Sequence, residues 1–359
     1  MSKEIFGKKL KILHLPSNIA SQPAITVKAL NEAGHHAIGL FLDTTITQSS
    51  EGMIVINYNK KSPFKVFKLM LWYCYFLRYI YWADVIHWCG SFQNTLLKVT
   101  LPVIKFLKKP ALVEFVGSDI RNPEVEFKDN PYYKKVFTEG YEYPYESAAN
   151  SYFIQNMFAR NGFGVLIMPG MGQYIADVNY KFRYPIFQRI DSTKFSNLSS
   201  KPPNSKPLII HSPSAPVGKG SKYVIAAIDE LKKYYDFDFK LIKGMGHVKT
   251  LELISSCDIF IDQLISGSYG MATMEALTMG KPVICFLKES VLKNELPADI
   301  PIVNGNPDNI KSKIEILLND AGLRIELGEK GKTYIEKYHN VKKVAADLEK
   351  IYYSAIVNK

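Results

Sequence analysis

A chain of 359 residues has room for about two domains at roughly 100 to 200 residues each, and 47% hydrophobic with 22% charged residues excludes a disordered, collagenous or polytopic membrane chain. The formal charge is +11, from 45 Lys and Arg against 34 Asp and Glu, and aromatic residues reach 13%. A basic excess of this size points to something acidic as a partner.

The N-terminal MSKEIFGKKLKILHL is charged and lacks an apolar stretch or cleavage site, so no secretory signal is expected and the protein is placed in the cytoplasm. Residues 10–15 read as a strand, 23–33 as a helix closed by Gly34 in the C-cap position, and 37–42 as the next strand. His14-Leu15-Pro16-Ser17-Asn18 follows the first strand. Ser17 and Asn18 there either serve a bound ligand or form an Asx or Ser turn that caps the next helix.

Residues 60–109 hold the N-terminal charge surplus: Lys60, Lys61, Lys65, Lys68, Arg78, Lys98, Lys105, Lys108 and Lys109 against one acid, Asp84. The same window contains Trp72, Trp82 and Trp88. Residues 61–82 read as a basic, aromatic helix with Lys61, Lys65, Lys68, Trp72, Tyr75, Tyr79 and Trp82 along its outer stripe. Phe64, Phe67, Leu71, Cys74 and Leu77 are then expected to face the protein. The uninterrupted apolar run, 69–77, is far short of the ~20 residues a bilayer span needs. Such a helix either lies flat on an anionic membrane surface, peripheral to the inner face, or packs as a core helix with snorkelling lysines. No nucleic-acid motif accompanies the patch, so nucleic acid is not expected as a partner.

Strands at 85–87 and 111–115 flank a helical pattern at 95–107, and this βα alternation implies a parallel sheet. His87 stands at a strand end and either lines a cleft or is packed away. From 123 to 195 no period is clean, and the polar, Pro-rich 196–207 reads as an interdomain linker. Alternation then restarts, with strands at 208–211, 237–242, 259–262 and 282–286 and helices at 220–234, 247–255 and 270–279. Helical patterns at 309–318, 323–338 and 341–353 close the second unit. The expectation is an α/β chain of two Rossmann-like, doubly wound domains, 1–195 and 208–359, with the last helix a candidate to pack back on the first. Open sheets of this kind bind ligands beyond the carboxyl ends of their strands, here in a cleft between the domains. The four cysteines, Cys74, Cys89, Cys257 and Cys285, lie in apolar elements without metal or disulfide spacing, so free buried thiols and no metal site are expected.

Two strand-to-helix loops of the second unit carry the chemistry. In the first, His211-Ser212-Pro213-Ser214-Ala215-Pro216-Val217-Gly218-Lys219-Gly220, the Lys219 ammonium stands at a helix start, where it can neutralise a diphosphate, and Ser212 and Ser214 offer hydroxyls. In the second, Gly267-Ser268-Tyr269-Gly270 brings backbone N–H groups to a helix N-terminus, and Glu275 a turn and a half later can accept from vicinal ribose hydroxyls. Glu275 lies in a largely apolar helix, where an unpartnered carboxylate is rare.

These loops, with the segment GSYGMATMEALTMGKPV, resemble the C-terminal donor domain of retaining GT-B glycosyltransferases, the glycogen-synthase-like family 4 group. Val116-Gly117-Ser118-Asp119-Ile120-Arg121 resembles that family's His-Gly-Ser-Asp loop, and Asp84-Val85-Ile86-His87 its Asp-x-Ile-His strand. The resemblance implies a nucleotide-diphosphate sugar donor, no bound metal or cofactor, and a retaining transfer with an oxocarbenium-like transition state. The acceptor it implies is a glycan or a lipid-linked molecule, in cell-surface polysaccharide or glycolipid synthesis. Lys219, Glu275 and Asp119 then become the catalytic candidates: Lys219 on the diphosphate, Glu275 on the ribose, and Asp119 in the acceptor wall. Ser212, Ser214, Gly267, Ser268, Tyr269 and Gly270 join them around the donor, and Ser17, Asn18, His87, Gly117 and Ser118 on the acceptor side. Val116 stands where the family usually has His, and Gly267 where it has the first Glu of a Glu-x7-Glu pair. The family's Arg before the lysine is replaced by Ser214, Ala215 and Pro216. These departures leave open a weakly active or inactive binding subunit that scaffolds an active partner, and a nucleotide-sugar epimerase on the same architecture.

Overall fold

In the structure, a computed structural model that describes residues 7–42, 52–59, 61–90, 94–198 and 206–358, strands and helices alternate along nearly the whole chain. The first stretch runs β1 (Lys11–Leu15), α1 (Gln22–Glu32), β2 (His36–Phe41), β3 (Ile54–Val55), α2 (Lys65–Trp82), β4 (Val85–Cys89), α3 (Asn94–Phe106) and β5 (Ala111–Glu114). Two short helices follow, α4 (Pro123–Asp129) and α5 (Pro131–Phe137), then α6 (Ala148–Arg160), β6 (Gly164–Ile167) and β7 (Arg183–Pro185). The second stretch is β8 (Leu208–His211), α7 (Ser221–Leu231), β9 (Asp238–Leu241), α8 (His247–Ser255), β10 (Ile259–Ile261) and α9 (Met271–Thr278). It continues through β11 (Val283–Cys285), α10 (Glu289–Asn294), β12 (Ile302–Asn304), α11 (Ile310–Asn319), α12 (Ala321–Tyr334) and α13 (Val341–Val357).

The chain divides into two compact units. The first takes residues 1–122, 146–189 and 341–359; the second takes 123–145 and 190–340. Residues 199–205 of the expected linker, and Lys60 of the basic window, lie outside the described residues.

The first unit holds a seven-stranded sheet in the order β3-β2-β1-β4-β5-β6-β7, parallel at every ladder. Past Lys11 its central strands β1, β4 and β5 are buried along their length, so they read as hydrophobic runs broken only by His14, His87 and Glu114 near their carboxyl ends. On one face α13 lays Val341, Val344, Ala345, Leu348, Tyr352 and Ala355 against Val27 and Leu30 of α1. That spacing of three and four keeps one stripe of α13 inward over four turns.

The second unit holds a five-stranded parallel sheet, β12-β11-β10-β8-β9. Helix α12 crosses the turn after α9 at Gly328, where a Cβ would stand 2.2 Å from the Gly280 carbonyl oxygen, so only glycine permits the contact. In both sheets the strand order reverses beside the first strand of the unit, between β1 and β4 and between β8 and β10. Ligands of open α/β sheets bind at such points, outside the carboxyl ends of the strands.

Helix α2 corrects one expectation. It forms where the pattern placed it, but with the opposite face inward: Trp72, Phe76 and Ile80 are buried, while Phe64, Phe67, Leu71, Cys74 and Leu77 are exposed. The stripe reading gave weight to Lys65 and Lys68, yet both lie in the first turn, where Lys68 reaches the Asn57 carbonyl and sets no constraint on the rest. Beyond that turn, burying the largest ring decides the rotation. Trp72 stacks on Phe76 with centroids 5.5 Å apart, and the i, i+4, i+8 seam goes to the core. Cys74 is accordingly an exposed thiol, whereas Cys89, Cys257 and Cys285 are buried as expected.

Candidate active site

In the second unit, pairing of β8 with β10 sets His211 beside Ile261 and carries the loops after both strands to one edge of the sheet. Lys219 and Asp262 meet there, Nζ to Oδ1 at 2.5 Å, and Thr273 of α9 donates its hydroxyl to the other Asp262 oxygen at 2.7 Å. Burial pulls the Lys219 ammonium toward its neutral form, but the Asp262 carboxylate outweighs it and the net shift is upward. Asp262 moves down for the reciprocal reason, burial opposing and Lys219 prevailing. The pair is therefore ionised. An ammonium has three donors and the pair takes one, so Lys219 can hold Asp262 and still address an anion.

Below it His211 is fully buried. Its Nδ1–H donates to the Ile261 carbonyl at 2.9 Å, which leaves Nε2 to accept from the Ser221 hydroxyl at 2.9 Å. Burial, the largest cause, pushes its pKa down to about 4.

Glu275 is engaged by a residue to which the sequence assigned no role. His247 at the start of α8 places Nε2 2.7 Å from Glu275 Oε1, and this hydrogen bond raises the imidazole pKa. Gly267 has φ +69°, and a Cβ there would lie 2.1 Å from Cγ of Lys288, so the loop cannot carry a side chain at that position without moving the lysine stem. Ser268 is buried, and Tyr269 turns inward to His339 Nε2 at 2.9 Å and the Tyr334 hydroxyl at 3.2 Å. Tyr269 is thus spent on packing. Gly270 faces open space, since a Cβ on it would meet nothing within 4 Å. Ser212 is half-buried and Ser214 exposed on the loop before Lys219.

In the first unit the acceptor-side candidates hold their own backbone. Asp119 Oδ1 accepts the N–H groups of Val116, Gly117 and Ile120 at 3.2, 3.0 and 3.1 Å, closing the loop that begins at Val116. Burial raises its pKa to about 6 against those bonds. Gly117 supplies the unusual φ of +142°, and Ser118 lies half-buried beside it. Ser17 donates to the Cys89 carbonyl at 3.1 Å, and Asn18 Oδ1 reaches past the intervening turn to accept from Ala24 N–H in the first turn of α1 at 3.1 Å.

His87 is buried at the centre of a network the sequence did not disclose. Its Nε2–H donates to Glu114 Oε2 at 3.0 Å, Tyr352 hydroxyl meets Nδ1 at 2.7 Å, and Arg189 Nη2 donates to the same Glu114 oxygen at 2.9 Å. Burial alone would raise Glu114, but Arg189 and then His87 overcome it and hold the carboxyl at about 2. The His14 ring lies 4.5 Å from that of His87 and is driven well below its usual pKa, first by burial and then by His87 and Arg189. The visible signal was one glutamate in the otherwise apolar strand ALVEF.

A pH dependence follows from His14 and His211. Both are neutral when folded, so below about 6.5 the unfolded chain takes up protons that the native units refuse. Their contribution is complete above that value and is lost as pH falls toward the folded pKa. Between pH 7.5 and 5.5 the second unit should lose about 1 kcal/mol from His211. The urea midpoint of the wild type should fall more over this interval than that of His211→Gln, and an equal fall in the two would contradict it.

Among the described residues no group of three or more His, Cys, Asp or Glu side chains is gathered to hold a metal ion.

Comparison with known proteins agrees with this architecture. Residues 238–334 match the family model for Glycosyl transferases group 1, so the second unit carries a region of that type, from β9 to the end of α12. A curated relative, the uncharacterised glycosyltransferase MJ1178 of Methanocaldococcus jannaschii, is 28% identical over 164 residues, covering 37% of this chain and 44% of that protein. The chain therefore spans less than half the length of the curated relative it matches. Solved structures align over nearly the whole chain. They include a glycosyltransferase of Rickettsia africae (14% identical, 99% of this chain and 100% of that one, TM-score 0.66) and sucrose-phosphate synthase of Thermosynechococcus elongatus (12%, 97% and 100%, 0.65). Anabaena HepE, solved in complex with UDP-glucose, is 13% identical over 96% of this chain and 100% of that one, with a TM-score of 0.66. At these identities the likeness establishes the fold, two parallel-sheet Rossmann-like units of the GT-B type.

Proposed function

We propose that this protein is a retaining glycosyltransferase that transfers a sugar from a nucleotide-diphosphate sugar to a glycan or lipid-linked acceptor in cell-surface polysaccharide or glycolipid synthesis. The observation that carries this reading is the Lys219–Asp262–Thr273 cluster at the strand-order reversal of the second unit, beside the amino end of α9. Cleavage of a donor leaves negative charge on the diphosphate, and a fixed ammonium with oriented backbone donors stabilises that charge as it forms. A retaining transfer then proceeds through an oxocarbenium-like transition state, with the departing phosphate oxygen taking the acceptor proton. Glu275, poised by His247, is the group for the ribose hydroxyls.

Incubation with UDP-, GDP- and other nucleotide sugars plus varied acceptors, read as nucleotide release and as product configuration, tests the activity. An inverted product would overturn the retaining step. Glu275→Ala should weaken nucleotide binding by about 1–3 kcal/mol, and unchanged affinity would remove Glu275 from the site. The glycine at 267, pressed by Lys288, favours a second reading, a nucleotide-binding subunit without turnover. Saturable binding with no release in the presence of acceptors would select it.

A further partner is an anionic membrane surface. Among the described residues no helix is long and apolar enough to cross a membrane. Helix α2, however, presents Phe67, Met70, Leu71, Leu77 and Tyr81 outward, with Lys65 and Arg78 also exposed. A cavity of about 300 Å3 at the amino edge of the same sheet is lined by Lys105, Lys108, Lys109 and Lys181 and by no carboxylate. Apolar side chains that enter the headgroup boundary beside ammonium groups suit the inner, anionic leaflet. Cosedimentation with anionic vesicles should be lost on Phe67→Ser/Leu71→Ser and should weaken with salt. Equal binding to neutral vesicles would contradict the electrostatic part.

A further inference from the structure

We propose that Glu142 sets the affinity of the donor loop by occupying the place of a phosphate group on it. The inference rests on the donor reading above and adds to it a competitor from within the same unit. Val217 N–H donates to Glu142 Oε1 at 2.7 Å and Gly218 N–H to Oε2 at 2.9 Å. Adjacent amides aimed at one oxyanion form the kind of concavity that takes phosphate as readily as carboxylate. The neighbouring amides of the loop are already committed: Lys219 N–H donates to the Ala215 carbonyl and Gly220 N–H to that of Val217. The turn therefore leaves Val217 and Gly218 as the pair directed outward, next to the Lys219 ammonium in sequence.

The carboxylate is delivered by a strap, residues 139–143, which follows α5 and packs within the second unit. Tyr141 sits among the rings of Tyr133, Phe137 and Tyr143 at centroid distances of 5.3, 5.7 and 5.5 Å. Glu139 pairs with Lys222 in the first turn of α7. The strap presses close enough to explain the residue beneath it: a Cβ on Gly218 would lie 2.9 Å from Cε2 of Tyr141 and 3.2 Å from Glu142 Oε2. The Glu139–Lys222 anchor is exposed on both sides and screened, so it holds the strap weakly.

A diphosphate and the Glu142 carboxylate cannot share the same two N–H groups, and their charges repel. Donor binding thus requires the strap to lift, and the apparent dissociation constant exceeds the intrinsic one by the reciprocal of the lifted fraction. Removing the competing carboxylate removes that factor.

The test is equilibrium binding of UDP and of GDP to the full chain, comparing the wild type with Glu142→Ala, Glu142→Gln and Lys219→Ala, together with hydrogen exchange across 139–145. Glu142→Ala should bind the preferred nucleotide about tenfold more tightly, with Glu142→Gln between it and the wild type. In the unmodified protein, exchange at 139–145 should accelerate when nucleotide is added. Affinity that is unchanged or lower in Glu142→Ala, or a strap that becomes more protected by nucleotide, overturns the inference. If Lys219→Ala weakens binding while Glu142→Ala gains nothing, the donor reading stands and this inference alone fails. If neither the wild type nor the folded Glu142 variants bind either nucleotide, the donor reading fails and takes the inference with it.

Discussion

Replacing Arg189 with leucine should cost the first unit about 3–5 kcal/mol. The guanidinium is fully buried and is what keeps Glu114 ionised at the carboxyl end of the interior strand β5. Without it the carboxylate faces a neutral imidazole and its desolvation is no longer opposed. The wild-type carboxyl, held at about 2, contributes stability that is present above about 4.3 and lost as pH falls toward 2. In Arg189→Leu the sign reverses: burial now raises Glu114, so its charged form is a penalty that acidification relieves. Arg189→Leu combined with Glu114→Gln should recover most of the loss, because two apolar or neutral groups leave no orphaned charge. The protein's three tryptophans, Trp72, Trp82 and Trp88, all lie in the first unit, so urea unfolding followed by tryptophan fluorescence reports on that unit alone. A loss below about 1 kcal/mol would mean the network is not coupled as described.

Lys219→Ala should act twice, and the two effects can be separated. It leaves Asp262 buried with only the Thr273 hydroxyl on its carboxylate, an unpaired charge expected to cost the second unit about 3 kcal/mol. It also removes the ammonium from the donor loop, which should weaken nucleotide binding by about 1–3 kcal/mol. Adding Asp262→Asn to Lys219→Ala removes the orphaned charge and should restore most of the calorimetric stability. Nucleotide affinity should stay low, because the amide replaces no cation. Affinity returning together with stability would show that Lys219 serves only to neutralise Asp262.

Legibility in the sequence followed how local the determining force was. β8 at 208–211 and α8 at 247–255 were readable to the residue, because their hydrophobic period and their flanking breakers are local. β6, β7 and the helices α4 to α6 were not, since their burial comes from partners distant in sequence and their own composition is rich in Tyr and Asn. The reversed face of α2 shows the same limit: which stripe is inward depended on what Trp72 could pack against. Within the site, Lys219 and Glu275 were named from loop chemistry alone. Their partners Asp262 and His247 are 43 and 28 residues away, brought near by the folded chain and by no motif. Glu142 lay in the stretch where no period could be followed.

The division of the chain between the units also has a consequence for synthesis. The face of α1 that carries Val27 and Leu30 is covered by α13, more than three hundred residues downstream, and residues 190–340 of the second unit are made in between. At ribosomal rates of about 5–20 residues per second the stretch from α1 to α13 takes on the order of tens of seconds, during which the early strands can pair but their helical layer stays incomplete. The nascent first unit should therefore remain a chaperone client until the final helix emerges.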